Sequence, residues 1–92
     1  MIKLSVLLAL SLFLISCGNE PHPATIQLIR QGNKSIKEQN AQAAMEKYVQ
    51  GLGYNPFLPE LHLNLGLSFE FLQMPDKALQ SYGEAERLAT EQ

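Results

Sequence analysis

The chain has 92 residues, seven Lys plus Arg against nine Asp plus Glu, a net charge of −2 and a single cysteine. That length allows one small domain, and one cysteine excludes an internal disulfide. No basic patch or aromatic-interleaved basic run gives nucleic acid an electrostatic footprint. No glycine-rich phosphate loop, paired cysteines or G-x-S-x-G nucleophile motif appears, so neither an enzyme nor a bound cofactor or metal is expected.

The first segment, "MIKLSVLLALSLFLIS" (residues 1–16), carries Lys3 and then an apolar run from Leu4 to Ile15. The run is too short to cross a bilayer, which takes about 20 residues, and has the dimensions of a secretory signal core. Directly after it stands "LISC", Leu14 to Cys17. This resembles the lipobox of bacterial lipoproteins: an aliphatic residue three before the cysteine, a small residue just before it, and cleavage that leaves the cysteine first. The resemblance implies a diacylglycerol on Cys17, in many bacteria with a third acyl chain on its amine. Each buried CH₂ adds about 0.8 kcal/mol, so two or three chains would form a stable membrane anchor. Gly18 after the cysteine, rather than Asp, implies the periplasmic face of the outer membrane if the cell is Gram-negative. Residues 17–24 read as a lipidated tether: in "GNEPHPAT", Gly18 to Thr25, two prolines, a glycine and polar residues hold the chain extended. His22, between two prolines, has no second ligand at metal spacing and receives no role.

Beyond the tether, residues 34 apart agree: Gly32 with Gly66, Ala44 with Ala78, Tyr48 with Tyr82, and the small pair Gly51 and Ala85. Leu65-Gly66, Phe69, Ala78 and Tyr82 follow the spacing L-G-x₂-Y…A-x₃-F, and Pro56 stands eight residues after Tyr48. This resembles the tetratricopeptide repeat family. The resemblance covers 25–92 and implies an all-α fold of two helix-turn-helix repeats, 25–58 (a degenerate copy) and 59–92. In such a repeat Gly32, Gly66, Ala44 and Ala78 allow close helix approach, Tyr48 and Tyr82 fill the space between helix pairs, Phe69 and the small Ala85 belong to the same packing pattern, and Pro56 ends the second helix. Helices are expected near 25–39, 41–54, 59–72 and 75–90, with Asn40 in the first turn and Pro75 and Asp76 opening the fourth helix.

"LHLNLGLSFEF", Leu61 to Phe71, tests that reading, because it alternates strictly as a half-wet strand would. No other stretch alternates, so a strand would lack a partner, and helical spacing sorts the run into two stripes instead. Leu61, Leu65, Phe69 and Leu72 form one, expected against the fourth helix. Leu63, Leu67 and Phe71 form the other. The resemblance implies that the second stripe faces a concave groove where ligands lie, with Ile26, Ile29 and Ile36 at or near the same face and Phe57 and Leu58 at the junction.

The first copy departs from the family pattern, with Gln31 in a leucine slot and Ser35 in an aromatic one. Its first helix is either a frayed terminal unit or one rotated to bury the isoleucines. Asn33 and Asn64 hold positions resembling the carboxylate clamp of chaperone-binding relatives, but Ile29 replaces a clamp lysine, so no clamp is expected. Solenoids of this type take about three repeats and a polar cap to be stable, so the extra apolar stripe calls for a cover. The expected function is a membrane-anchored scaffold or assembly factor of the bacterial cell envelope. Its partner would be a peptide segment of another envelope protein held in the groove. The alternative is a structural lipoprotein that buries its uncapped repeats in a homo-oligomer.

Overall fold

Four helices make up most of the described residues, and no strand occurs among them: α1 Pro23–Lys37, α2 Ala41–Tyr54, α3 Pro59–Phe71 and α4 Pro75–Thr90. The computed structural model describes residues 20–91. The leader, Cys17 and the start of the tether lie outside them. The alternating run is helical throughout, as α3.

α1 begins two residues before the expected Thr25, and the reason is His22. Its ring Nδ1 accepts a hydrogen bond from the Ala24 amide at 3.0 Å, an N-cap, and Pro23 fits the first turn, where an amide hydrogen has no helical partner. The His22 amide donates to Asn55 Oδ1 at 2.8 Å, and the fully buried Thr25 hydroxyl donates to the same oxygen at 2.6 Å. The His22 ring stacks on Tyr54, with centroids 4.7 Å apart. The end of the expected tether is therefore pinned to the end of α2.

The α1–α2 and α3–α4 turns are copies of one another. Gln39 and Gln73, one repeat apart, both adopt left-handed backbone, with φ of 60° and 59°. In the first turn the Gln39 amide donates to Ile36 O at 2.9 Å and the Asn40 amide to Ser35 O at 2.8 Å. In the second, the Gln73 amide donates to Glu70 O at 3.0 Å and the Met74 amide to Phe69 O at 2.8 Å. This pair of reversed bonds is the Schellman arrangement, which uses carbonyls that the helix end would leave unpaired. The copies differ at the start of the next helix. Asn40 caps α2 through the Ala43 amide at 3.1 Å, whereas Met74 makes no side-chain cap for α4.

Packing runs along the chain: α1 on α2, α2 on α3, α3 on α4. Inside each hairpin a glycine faces a tyrosine ring. A Cβ on Gly32 would clash with the face of the Tyr48 ring, and one on Gly66 with the Tyr82 ring. Between the hairpins, Gly51 meets Leu61, where a Cβ would stand 2.9 Å from Leu61 Cδ2. Ile29, Ala44, Tyr48, Leu61 and Leu65 form one buried cluster at this junction. Leu61, fully buried, contributes about 1.5–3 kcal/mol.

Leu61 and Leu65 thus turn toward α2, not toward α4 as their stripe suggested. α4 meets α3 through Gly66 and through Phe69, over whose ring Lys77 lies at 5.8 Å. The reason is angular: along a helix the leucines at 61 and 65 lie more than a quarter turn from the face that carries Gly66.

Candidate functional site

The residues expected to line one groove separate into four places. Ile29, only 8% exposed, belongs to the buried cluster, and Leu58 packs against that cluster at its edge. Ile29 presents no free face, which corrects its assignment to the groove, and Leu58 is half-buried with its inner side against the core. α1 has rotated to bury Ile29, and Gln31, in the leucine slot, stays exposed.

Phe57, 69% exposed, stands apart on the α2–α3 turn. It borders a cavity of about 360 Å³ with Arg87, Leu88 and Glu91. Arg87 there donates to Glu84 and, at 2.8 Å, to Glu91. These bonds hold the Glu84 carboxyl below its ordinary range, the hydrogen bond from Arg87 being the main cause. Pro56, exposed after the end of α2, accepts a hydrogen bond from His62 Nε2 at 2.9 Å through its carbonyl. His62 is thereby tied to the turn that precedes its own helix.

What remains together is Ile36 with Phe71. They face each other across a cavity of about 340 Å³ also bordered by Gln39 and Ala41. Leu67, four residues before Phe71, extends this apolar face one turn back along α3. Leu67 and Phe71 are 41% and 64% exposed, so no described element covers their outer sides. Ile36 is half-buried, its inner side against the core. The site offers apolar contact and no convergent charge, so it suits a side chain or helix face rather than a charged small molecule.

Leu63 belongs elsewhere. It holds the place in the second repeat that Ile29 holds in the first, yet it is 47% exposed. α3 lies over the first hairpin and covers Ile29, while no helix among those described covers the second. Leu63 is therefore left open, and α3 and α4 together border a cavity of about 650 Å³ lined by Glu70, Gln73, Pro75, Ala78, Leu79 and Tyr82. Leu79, 70% exposed, is the apolar residue that sequence reasoning passed over. Its counterpart in the first repeat, the half-buried Met45, was the signal that could have found it.

The packing residues are deeply placed. Ala44, Tyr48 and Ala78 are 0%, 1% and 3% exposed, and Ala85 is 8%. The Tyr48 hydroxyl donates to Asn33 Oδ1 at 2.5 Å, which commits that asparagine to the hairpin. Burial, then the charge of Glu60, raises the Tyr48 phenol above its ordinary pKa. Tyr82, half-buried, is raised by burial and by a hydrogen bond with Glu70.

Cys17 lies outside the described residues. Set against protein-family models, curated proteins and solved structures, the chain matches none of them.

Proposed function

We propose that this is a membrane-anchored lipoprotein of the bacterial cell envelope, with two tetratricopeptide-like repeats, that holds an apolar peptide segment of another envelope protein. The observation that carries the reading is the open face of Leu67 and Phe71 on a helix that buries Leu61, Leu65 and Ser68 elsewhere on its surface. A polar face would serve solubility better, and an apolar patch rimmed by polar residues marks a contact surface. The repeat reading is supported by duplicated detail. The Gly–Tyr contact and the left-handed glutamine each recur at the same place in both copies.

In this reading Cys17 carries the lipid, residues up to Pro21 span the distance from the membrane, and the groove receives the segment. Burial there supplies about 25 cal/mol per Å², less the cost of ordering the bound segment. Photo-crosslinking in native cells tests it, with a photoreactive residue replacing Phe71 and a control at the exposed Gln80. A discrete heterologous adduct from position 71 alone is expected. An adduct of twice the protomer mass and nothing else would replace the scaffold with self-association. The anchor is tested separately: Cys17→Ala should leave the membrane fraction, and its retention there would remove lipidation from the account.

A further inference from the structure

The open end of the helix row has a template inside the same molecule. α2 presents Ala44, Met45, Tyr48 and Gly51 to α3, and α3 answers with Leu61 and Leu65 in the buried cluster and the fully buried Ser68. One repeat on, α4 and α3 present the same relief: Ala78, Leu79, Tyr82 and Ala85, with Leu63 in place of Ile29. There no described helix covers Leu63, Leu79 or the half-buried Tyr82, and Leu79 and Tyr82 border the 650 Å³ cavity.

A second copy of this chain is a poor cover. Stacked head to tail, its α1 would bring Gln27, Gln31 and Lys34 where α3 brings Leu61, Leu65 and Ser68. All three are exposed in this chain, and burying two amides and an ammonium without partners is costly. Paired about a two-fold axis, two open ends would set Glu70 and Glu86 of each copy across one apolar patch, like charge against like. The acidic rim instead favours a cationic partner.

We propose that this end face, centred on Leu79 and Tyr82, docks an amphipathic α-helix of another protein, seated as α3 is seated on α2. The matching helix carries leucines at i and i+4, a small residue at i+7, and Lys or Arg flanking that stripe to meet Glu70 and Glu86. The face is separate from the groove of Leu67 and Phe71, so the two sites can be tested independently.

The probe is a dye-labelled peptide of the α3 sequence, 59–72, with Glu60→Lys and Glu70→Lys. A hydrocarbon staple at positions 63 and 67 keeps it helical, since so short a helix is marginal alone. Its anisotropy is followed on titration with the full chain in lipid nanodiscs. Saturable binding is expected, weakened about tenfold or more by Leu79→Asp and by Glu70→Lys in the protein, and unchanged by Phe71→Glu. Leu79 is 70% exposed, so its replacement leaves the fold intact, as an unchanged circular dichroism spectrum should show. Absence of saturable binding up to about 1 mM would overturn the proposal. So would binding lost in Phe71→Glu but kept in Leu79→Asp, which would seat the probe in the groove. Chains that cross-link as dimers until Leu79→Asp is introduced would make a second copy the occupant, and would overturn it as well.

Discussion

Of the five glycines inside the described helices, four show opposite consequences for the same substitution. Gly32 and Gly66 each face a tyrosine ring with no room for a methyl group, whereas a Cβ on Gly53 or Gly83 would meet nothing within 4 Å. Replacing glycine by alanine in a helix stabilises by about 1 kcal/mol when space is free. Gly83→Ala should therefore raise the urea midpoint of the full chain. At the crowded positions overpacking costs about 1–3 kcal/mol, and the neighbour decides where in that range the cost falls. Tyr48 is 1% exposed and bonded to Asn33, so it cannot swing away from a methyl on residue 32. Tyr82, at the uncovered end, is half-buried and has somewhere to go. Gly32→Ala should lower the midpoint clearly more than Gly66→Ala. Equal losses would mean that Tyr82 is held as firmly as Tyr48, and that the row has no soft end.

At the scale of the element, each hairpin turns on a glutamine in a conformation that suits glycine. A left-handed residue with a Cβ costs roughly 1–2 kcal/mol, part of which glycine returns as greater freedom of the unfolded chain. Gln39→Gly and Gln73→Gly should each stabilise by about 0.5–1 kcal/mol, seen as a thermal midpoint several degrees higher by circular dichroism. No change at either position would mean that the glutamine side chains make up the difference by contacts of their own. These turns also mark what the sequence made legible. The agreement of glycine, alanine and tyrosine between the two copies placed α2 and α4 at the observed bounds, because each residue type answers a close approach that recurs. The glutamines agree at the same shift, but glutamine carries no turn signal, so their shared conformation was not readable. The start of α1 was missed for a related reason. His22 looks like a linker residue beside two prolines, and only the distant Asn55, at the end of α2, shows that its amide is tied down. The open apolar face was partly legible: a stripe of Leu63, Leu67 and Phe71 follows from helical spacing alone, and all three are exposed. Which isoleucines joined it depended on the rotation of α1, and that is set by where α3 lands.

Across the whole molecule each helix packs mainly on its neighbours in the chain, so the two hairpins are joined through the buried cluster between α2 and α3. Tyr48 belongs to that cluster, and its phenol is the group there that can acquire a charge. Burial and the nearby Glu60 both disfavour the phenolate, so the folded protein keeps this proton to a higher pH than the unfolded chain, whose tyrosines titrate near about 10. The sign follows from linkage. Below pH of about 10 both states are protonated and the full stability is present. Above it the unfolded chain holds fewer protons than the folded one, and stability is lost as pH rises toward and through the folded pKa. Loss of this joint would part the α1–α2 hairpin from α3–α4, so the transition should be global rather than a fraying of one end. The thermal midpoint should stay flat to about pH 10 and then fall. Tyr48→Phe separates this effect from the titration of surface lysines, which both proteins share. The variant should be less stable at neutral pH by about 1 kcal/mol for the lost bond to Asn33, but should fall less steeply on the alkaline side. Tyr82→Phe should change that slope less, because its ring is only half-buried and its raised pKa owes part to a hydrogen bond with Glu70 at the open end. If the Tyr48→Phe and unmodified chains lose stability in parallel above pH of about 10, the cluster is not the joint that fails, and the alkaline weakness lies in the charged surface instead.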